Sequence, residues 1–429
     1  MARPIISVII SAKNEAERVQ ACFDSLSQQR TRFPFEVLLV DNGSTDGTFA
    51  LARKLAARQK NIHVLRERQP GSASARNFGA SKARGSVLVF TDADCRFAPN
   101  WLHELARPLL KKNQELENEL PLAAVGGRTL SEFHMARPSF VERYLDQLFD
   151  FWETDRLAAF PAFLPWAPTC NLAIKKEVFD GLGGFDARWK NAAYDVDLCW
   201  RLVLCGFVLG YAPKAEVHHL RRHSLLGLSK QMANYAFYNH SLLTTYEKIL
   251  RLNPVSARRE RILSRSRRAL ELARETKNLR TAGFRGLDLL SFASSTKGGL
   301  WARVLGVRAN PRFHPTRRGE LPASLVPFLP PGYAHLHNEG WSYWKENPSV
   351  DEHDTDLVLF RPRRSERFRL NSSAWNIWHV KSNGKKRRSP SRGQSEDAAL
   401  ALGQSVDDVE VLHDIDRCTM DLRTRRLLP

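Results

Sequence analysis

The chain has 429 residues, 43% of them hydrophobic, and Lys plus Arg outnumber Asp plus Glu by 65 to 46, a formal net charge of +19. That length exceeds one ordinary core, the apolar content is that of a folded protein rather than a disordered one, and the positive excess points to an anionic partner: nucleotide, polyphosphate, nucleic acid or membrane surface. The six cysteines are scattered without a Cys-x-x-Cys pair, which argues against a zinc site or a disulfide framework. No stretch gives about 18 uncharged apolar residues, so neither secretion nor a membrane span is expected, and a reducing cytoplasm fits best.

Ile5 to Ser11 is an apolar, β-branched run expected to form a buried strand. In the segment that follows, Glu15 to Gln28, the residues Val19, Cys22, Phe23 and Leu26 recur at helical spacing. Phe35 to Val40 reads as a second strand, and the polar turn Asp41 to Thr48 feeds a helix through Leu51 and Leu55. Ile62 to Leu65 is a third strand, and Gly71 to Gly79 opens another helix that Gly85 closes. Val87 to Cys95, Val-Leu-Val-Phe-Thr-Asp-Ala-Asp-Cys, is the buried strand around which the rest is organised. Strands alternating with helices predict an α/β fold with a doubly wound, mostly parallel sheet.

The first strand-to-helix turn lacks a Gly-x-Gly-x-x-Gly fingerprint, and no Gly-x-x-x-x-Gly-Lys-Ser/Thr occurs, which argues against a dinucleotide dehydrogenase and a P-loop NTPase. Polar residues stand at successive strand ends instead: Glu15, Asp41, Arg76, Asp92 and Asp94. Singly, each has an ordinary explanation as a turn former or surface residue. Converging on the carboxyl edge of one sheet, they form a candidate site for a nucleotide and its metal. In an extended chain Asp92 and Asp94 leave the same face, where two carboxylates suit Mg2+ or Mn2+ bound together with substrate phosphates.

Residues 5 to about 220 resemble the family 2 glycosyltransferases of the GT-A fold. The resemblance is carried by the Ser11 to Glu15 turn, Val40 to Thr48, Ala75 to Gly79, Asp92 to Asp94, and Pro168 to Ile174 with Leu182 to Asp186. Tyr194-Asp195-Val196-Asp197-Leu198 follows, where members usually have Glu-Asp-x-Asp-Leu; Tyr194 replaces the Glu, and Asp195 holds the place of the general base. Asp195 and Asp197 also suit the start of a helix, since carboxylates are favoured there and Leu198, Leu202 and Cys205 are helically spaced behind them. The resemblance implies an inverting, metal-dependent transferase acting on a nucleoside diphosphate sugar, UDP-linked by preference. In it Asp195 is the base, Asp94 holds the metal, and Asp92 contacts ribose or metal. Ser11, Glu15, Asp41 and Arg76 bind the nucleotide. Ala215 to His219 resembles the strand whose terminal His approaches the metal or diphosphate, which makes His218 a candidate ligand beside the structural role a lone His more often has.

The catalytic domain is expected over residues 1–225, a helical extension over 226–300, a linker over 301–351 and a separate C-terminal unit over 352–429. Leu225 to Leu252 reads as a helix that packs on the catalytic domain, covers the acceptor groove or lies on a membrane surface. Arg258 to Arg280 reads as a strongly basic helix. In the C-terminal unit, strands are expected at Asp356 to Phe360 and Arg367 to Leu370, then a short helix carrying Trp375 and Trp378, and helices near 395–403 and 407–424. That pattern suggests a small winged-helix α+β domain, and Phe368 to Trp378, Val406 to Glu410 and the terminal Leu-Arg-x-Arg-Arg-Leu-Leu resemble the peptide chaperones of pyrroloquinoline quinone biosynthesis. Relatives of those chaperones are the recognition elements of ribosomally made, modified peptides.

A captured peptide is therefore the expected acceptor, with a growing glycan as the alternative. A nucleic-acid-binding protein, suited by Lys385 to Arg388 and the net charge, leaves the sugar-nucleotide motifs unexplained, and a non-catalytic scaffold is the remaining rival. No specific nucleic acid and at most peripheral membrane contact are expected.

Overall fold

A computed structural model of the chain describes residues 3–110, 121–148, 158–159 and 164–250, isolated helical positions between 287 and 301, and strands and a short helix between 342 and 378. The amino-terminal half runs β1 (Ile6–Ala12), α1 (Val19–Ser27), β2 (Phe35–Asp41), α2 (Thr48–Ala56), β3 (Ile62–Arg66), α3 (Ser72–Lys82) and β4 (Val87–Asp92). There follow β5 (Cys95–Phe97), α4 (Trp101–Leu110), β6 (Leu122–Glu132), α5 (Phe140–Leu148), β7 (Ala158–Ala159) and β8 (Pro165–Trp166). A short 3-10 turn at Thr169–Asn171 leads into β9 (Leu172–Lys175), α6 (Lys176–Gly181), α7 (Tyr194–Leu204), β10 (Val208–Leu220) and α8 (Leu225–Leu250).

Eight strands form one sheet in the order β3-β2-β1-β4-β9-β6-β10-β5. The first four are parallel neighbours, β9 runs antiparallel between β4 and β6, and β5 is an antiparallel edge on β10. This is the expected α/β fold with a mostly parallel sheet. Because β1 connects to β2 on one side while β4 lies on its other side, the sheet has a switch point at β1, and a ligand crevice opens at the carboxyl ends there. The register lines that edge with acids: Ala12 lies beside Asp41 and Ser11 beside Asp92.

Strand alternation sends apolar residues to both faces. On one side Val8, Ile10, Val37 and Val89 pack under α1, α2 and α4. On the other Ile9, Leu38, Leu88 and Phe90 pack under α3, α6, α7 and α8. Each fully buried large apolar side chain contributes roughly 1.5–3 kcal/mol. Gly79 lets α3 approach β1, since a Cβ there would lie 2.6 Å from Ile9 Cγ2.

The Val87 to Cys95 run is not one strand. β4 ends at Asp92, the chain turns through Ala93 and Asp94, and β5 leaves to pair with β10 at the far edge of the sheet. Asp92 and Asp94 therefore do not share an extended segment, as the sequence reading had assumed. Helix α1 likewise begins at Val19, after a turn over residues 14–18.

Beyond α8, β11 (Ser342–Lys345), β12 (Leu357–Arg361) and β13 (Glu366–Leu370) form an antiparallel sheet in that order, with β11 lying alongside α7. β12 and β13 fall where two strands were expected, and β11 falls within the stretch read as a linker. Leu359, Leu370, Ile377 and Trp378 are each buried. The basic helix at Arg258 to Arg280, Trp375, and the helices near 395–403 and 407–424 lie outside the described residues.

Candidate active site

The loops after β1 and β2 are stitched together by the residues of the two polar motifs. Asn14 adopts a left-handed backbone (φ 60°), which a small polar side chain tolerates. Its Oδ1 accepts the Thr45 N–H at 2.9 Å, and its own N–H donates to Ser44 Oγ at 2.9 Å. The Glu15 N–H donates to Thr48 Oγ1 at 2.8 Å. Asn42 clamps the next loop, donating to the Glu67 and Gln69 carbonyls and accepting the Gly71 N–H at 2.8 Å. These polar residues shape the crevice, and they leave Asp41 and Glu15 to line it.

Asp41 is fully buried, and neither carboxylate oxygen has a hydrogen-bond partner among the described residues; Arg66 Nε stands 3.4 Å away. A buried carboxylate without a donor is costly unless a ligand supplies one. Glu15 pairs with Arg18 at 2.7 Å, yet burial and the charge of Asp94 push its carboxyl up to about 7, while Arg18 and Arg222 pull the other way.

Asp94 sits beside His219, with Oδ1 3.7 Å from Nε2, and Asp94, Cys95 and His219 offer ligand atoms within 4.8 Å of one another. Burial, with Cys170 next, pushes the Cys95 thiol well up. The Asp94 carboxylate and the His219 imidazole, among mutually repelling acids, fit a divalent cation. His218 is not part of it: on β10 it pairs with Arg96 and Leu130, while the next residue, in register with Cys95, reaches Asp94.

Arg76 does not face an open crevice. Its side chain is 2% exposed, its guanidinium is ion-paired with Asp92, and its Nη1 donates to Tyr194 Oη at 3.0 Å. The Tyr194 ring lies 5.0 Å from the guanidinium carbon, a cation–π contact. Arg76 is thus a positioning residue, and Tyr194 supplies an acceptor oxygen where the family pattern has Glu. Burial pushes the Tyr194 hydroxyl up to about 12, which keeps it neutral.

Asp195 and Asp197 have different surroundings. Asp197 is buried and holds Arg201 at 2.8 Å; Arg201 donates to the Leu182 and Gly184 carbonyls, and Tyr246 Oη donates to Asp197 Oδ1 at 3.0 Å. That network fastens α8 and the Gly183–Gly184 turn to α7. Asp195 is partly exposed at the start of α7, behind Ala193 in a left-handed conformation (φ 66°), and its Oδ1 accepts the Val196 N–H at 2.9 Å. Burial raises its carboxyl, against the hydrogen bonds of Val196 and Thr169 and the charge of Arg76. A carboxylate with raised basicity at an accessible helix start suits proton abstraction.

Asn171 is a hub the sequence did not reveal: it accepts the Trp101 indole N–H at 2.8 Å and donates to the Arg128 and Ala215 carbonyls. Gly127 is required beside it, because a Cβ there would lie 2.4 Å from the Ala215 carbonyl oxygen.

Fold and site together define a doubly wound α/β protein with an acidic crevice at the switch point of its sheet. The family model described as Glycosyl transferase family 2 matches residues 7–158. Glycosyltransferase AglE of Haloferax volcanii is 30% identical over 220 residues, covering 49% of this chain and 67% of that protein. Polypeptide N-acetylgalactosaminyltransferase 8 of Drosophila melanogaster is 30% identical over 233 residues, covering 51% of this chain and 38% of that protein. A solved mannosyltransferase from Pyrobaculum calidifontis, in complex with GDP-Man and Mn2+, aligns with a TM-score of 0.48 at 20% identity, covering 71% of this chain and 89% of the other. The chain belongs to glycosyl transferase family 2. No described helix is long and apolar enough to cross a membrane.

Proposed function

We propose that the protein transfers a sugar from a nucleoside diphosphate sugar, UDP-linked, to a peptide acceptor with inversion at the anomeric carbon. The observation that carries this reading is the gathering of Asp41, Glu15, Asp92, Asp94 and Asp195 along one sheet edge, each with a different environment. Asp41, buried without a donor, accepts a nucleobase N–H. Asp92, fixed by Arg76, faces the ribose or the cation. Asp94 and His219 hold Mg2+ or Mn2+, with Glu15 beside them, and the cation when bound neutralises charge on the departing diphosphate. Asp195 takes the proton of the acceptor nucleophile as the new bond to the anomeric carbon forms and the diphosphate leaves with its electron pair.

The peptide acceptor rests on the resemblance of residues 352–429 to peptide chaperones, on the β12–β13 hairpin within that stretch, and on a relative named for polypeptide transfer. A sheet edge can add an extended peptide as a further strand, and a linked capture unit raises the local acceptor concentration to the order of millimolar. Anomeric configuration tests the reaction: with an α-linked donor, nuclear magnetic resonance of the product should show a β linkage, and a retained α linkage would refute inversion. Deleting 352–429 tests the acceptor. Donor hydrolysis should survive and peptide glycosylation collapse; an unchanged Michaelis constant for the acceptor would remove peptide capture from the account.

A further inference from the structure

Among the described residues, three of the large hydrophobic side chains exposed to solvent fall on two neighbouring segments: Met135 at 74%, Leu225 at 55% and Leu226 at 64%. One is the loop after β6 and the other runs from His223 into the first turn of α8, and the rings of His134 and His223 join them, with centroids 4.3 Å apart and Nδ1 of His223 3.2 Å from Nε2 of His134. Ser139 Oγ also donates to the His223 carbonyl at 3.5 Å. The three apolar side chains therefore share one tip of the molecule.

Past its first turn α8 faces inward, burying Leu228, Met232, Leu242 and Tyr246, so only its amino end is presented. The charged residues of the two segments themselves have one sign. Arg137, Arg222 and Lys230 are exposed, and neither 133–139 nor 220–231 contains an acidic residue. Of the carboxylates beside these segments, Glu132 pairs with Arg96 at 2.9 Å, Glu142 is buried and accepts the N–H groups of His134 and Ser139, and Glu15 of the acidic crevice lies within electrostatic range of Arg222. An apolar tip carrying exposed Arg137, Arg222 and Lys230, with no acid in its own segments, matches a bilayer carrying acidic headgroups, where leucines enter the acyl boundary and Arg or Lys meets phosphate.

We propose that this tip docks the protein on an anionic membrane surface. Since β6 and β10 both end there, one residue after His219 has approached Asp94 the strand gives out, and docking turns the acidic crevice toward the lipid. The inference does not depend on the transfer reaction, because the surface binds or fails to bind whatever the crevice does.

Sedimentation of the full chain with vesicles tests it, using phosphatidylcholine alone and phosphatidylcholine mixed with phosphatidylglycerol. The protein should pellet with the mixed vesicles at low salt, release as salt rises, and bind phosphatidylcholine weakly. L225S/L226S should lower the partition coefficient by about tenfold or more, consistent with the loss of two inserted leucines. R137E/K230E should lower it as well, and because all four positions are exposed both variants should keep the wild-type melting temperature and donor hydrolysis. Absence of vesicle binding, or binding by both variants equal to that of the wild type, would overturn the proposal. So would L225S/L226S weakening peptide acceptor binding while vesicle binding is unchanged, since the tip would then be a peptide dock.

Discussion

Tyr194→Phe removes one oxygen from a buried charge network and leaves the rest of the ring in place. The lost Oη accepts a hydrogen bond from Arg76 Nη1 at 3.0 Å, and Arg76 is 2% exposed with its Nε already lacking a hydrogen-bond partner. Water cannot readily replace the acceptor, so the cost is that of an orphaned buried donor on a cation, about 2 kcal/mol. The cation–π contact at 5.0 Å survives the change and does not add to the loss. For a domain of this size that corresponds to roughly 4–8 °C in melting temperature. Arg76 also fixes Asp92, so donor kcat/KM should fall by about tenfold, equivalent to ~1.4 kcal/mol of transition-state stabilisation. Tyr194→Glu restores an acceptor to Arg76 and should be tolerated better than Phe. Differential scanning calorimetry with donor turnover decides it: a Phe variant with unchanged melting and turnover, or a Glu variant weaker than Phe, would refute the assignment of Tyr194 as the partner of Arg76.

Asp94→Ala should abolish most metal-dependent donor binding, measured by calorimetric titration with and without Mn2+, while the melting temperature holds. Gly127→Ala forces a Cβ against the Ala215 carbonyl and Asn171, and the clash with backbone should cost more than ~3 kcal/mol, read as a lower denaturation midpoint. Glu142 gives a pH signature: although burial pushes it up, the hydrogen bonds from His134 and Ser139 hold its carboxyl at about 2, below its unfolded value. Its contribution to stability is present above the unfolded pKa of about 4.5 and is lost as pH falls toward 2, so Glu142→Gln should lower stability at neutral pH and flatten the acid limb of the curve.

The parallel half of the sheet was legible because uninterrupted β-branched runs bounded by Gly and polar turns leave little choice; β1, β2 and β3 each end within one residue of the expected place. The turn at Asp94 was not, because a continuous apolar run does not show where the backbone reverses, and the partner of β5 lies more than a hundred residues away on β10. The choice between His218 and His219 depends on strand parity, and the irregularity between Ala212 and Glu216 resets that parity in β10. Arg76 read as a nucleotide contact because it stands at the start of a helix near strand ends. Its burial goes with partners far away in the chain, Asp92 and Tyr194, which carry no local signal at Arg76. Asp195 and Asp197 suit a helix start equally in sequence, where only the motif position sets Asp195 apart, and the structural tie of Asp197 comes from Arg201 and from Tyr246, which lies far along the chain.

The central claim is that the acidic crevice binds a nucleoside diphosphate sugar and that Asp195 drives its transfer. Nucleoside diphosphate release from a panel of nucleotide sugars, compared between wild type and Asp195→Asn with donor affinity measured alongside, tests it directly. The account predicts metal-dependent release with at least one donor, and a fall of roughly two to four orders of magnitude in Asp195→Asn at unchanged donor affinity; no release with any donor, or an Asp195→Asn variant that loses donor binding yet transfers normally at saturation, would contradict it.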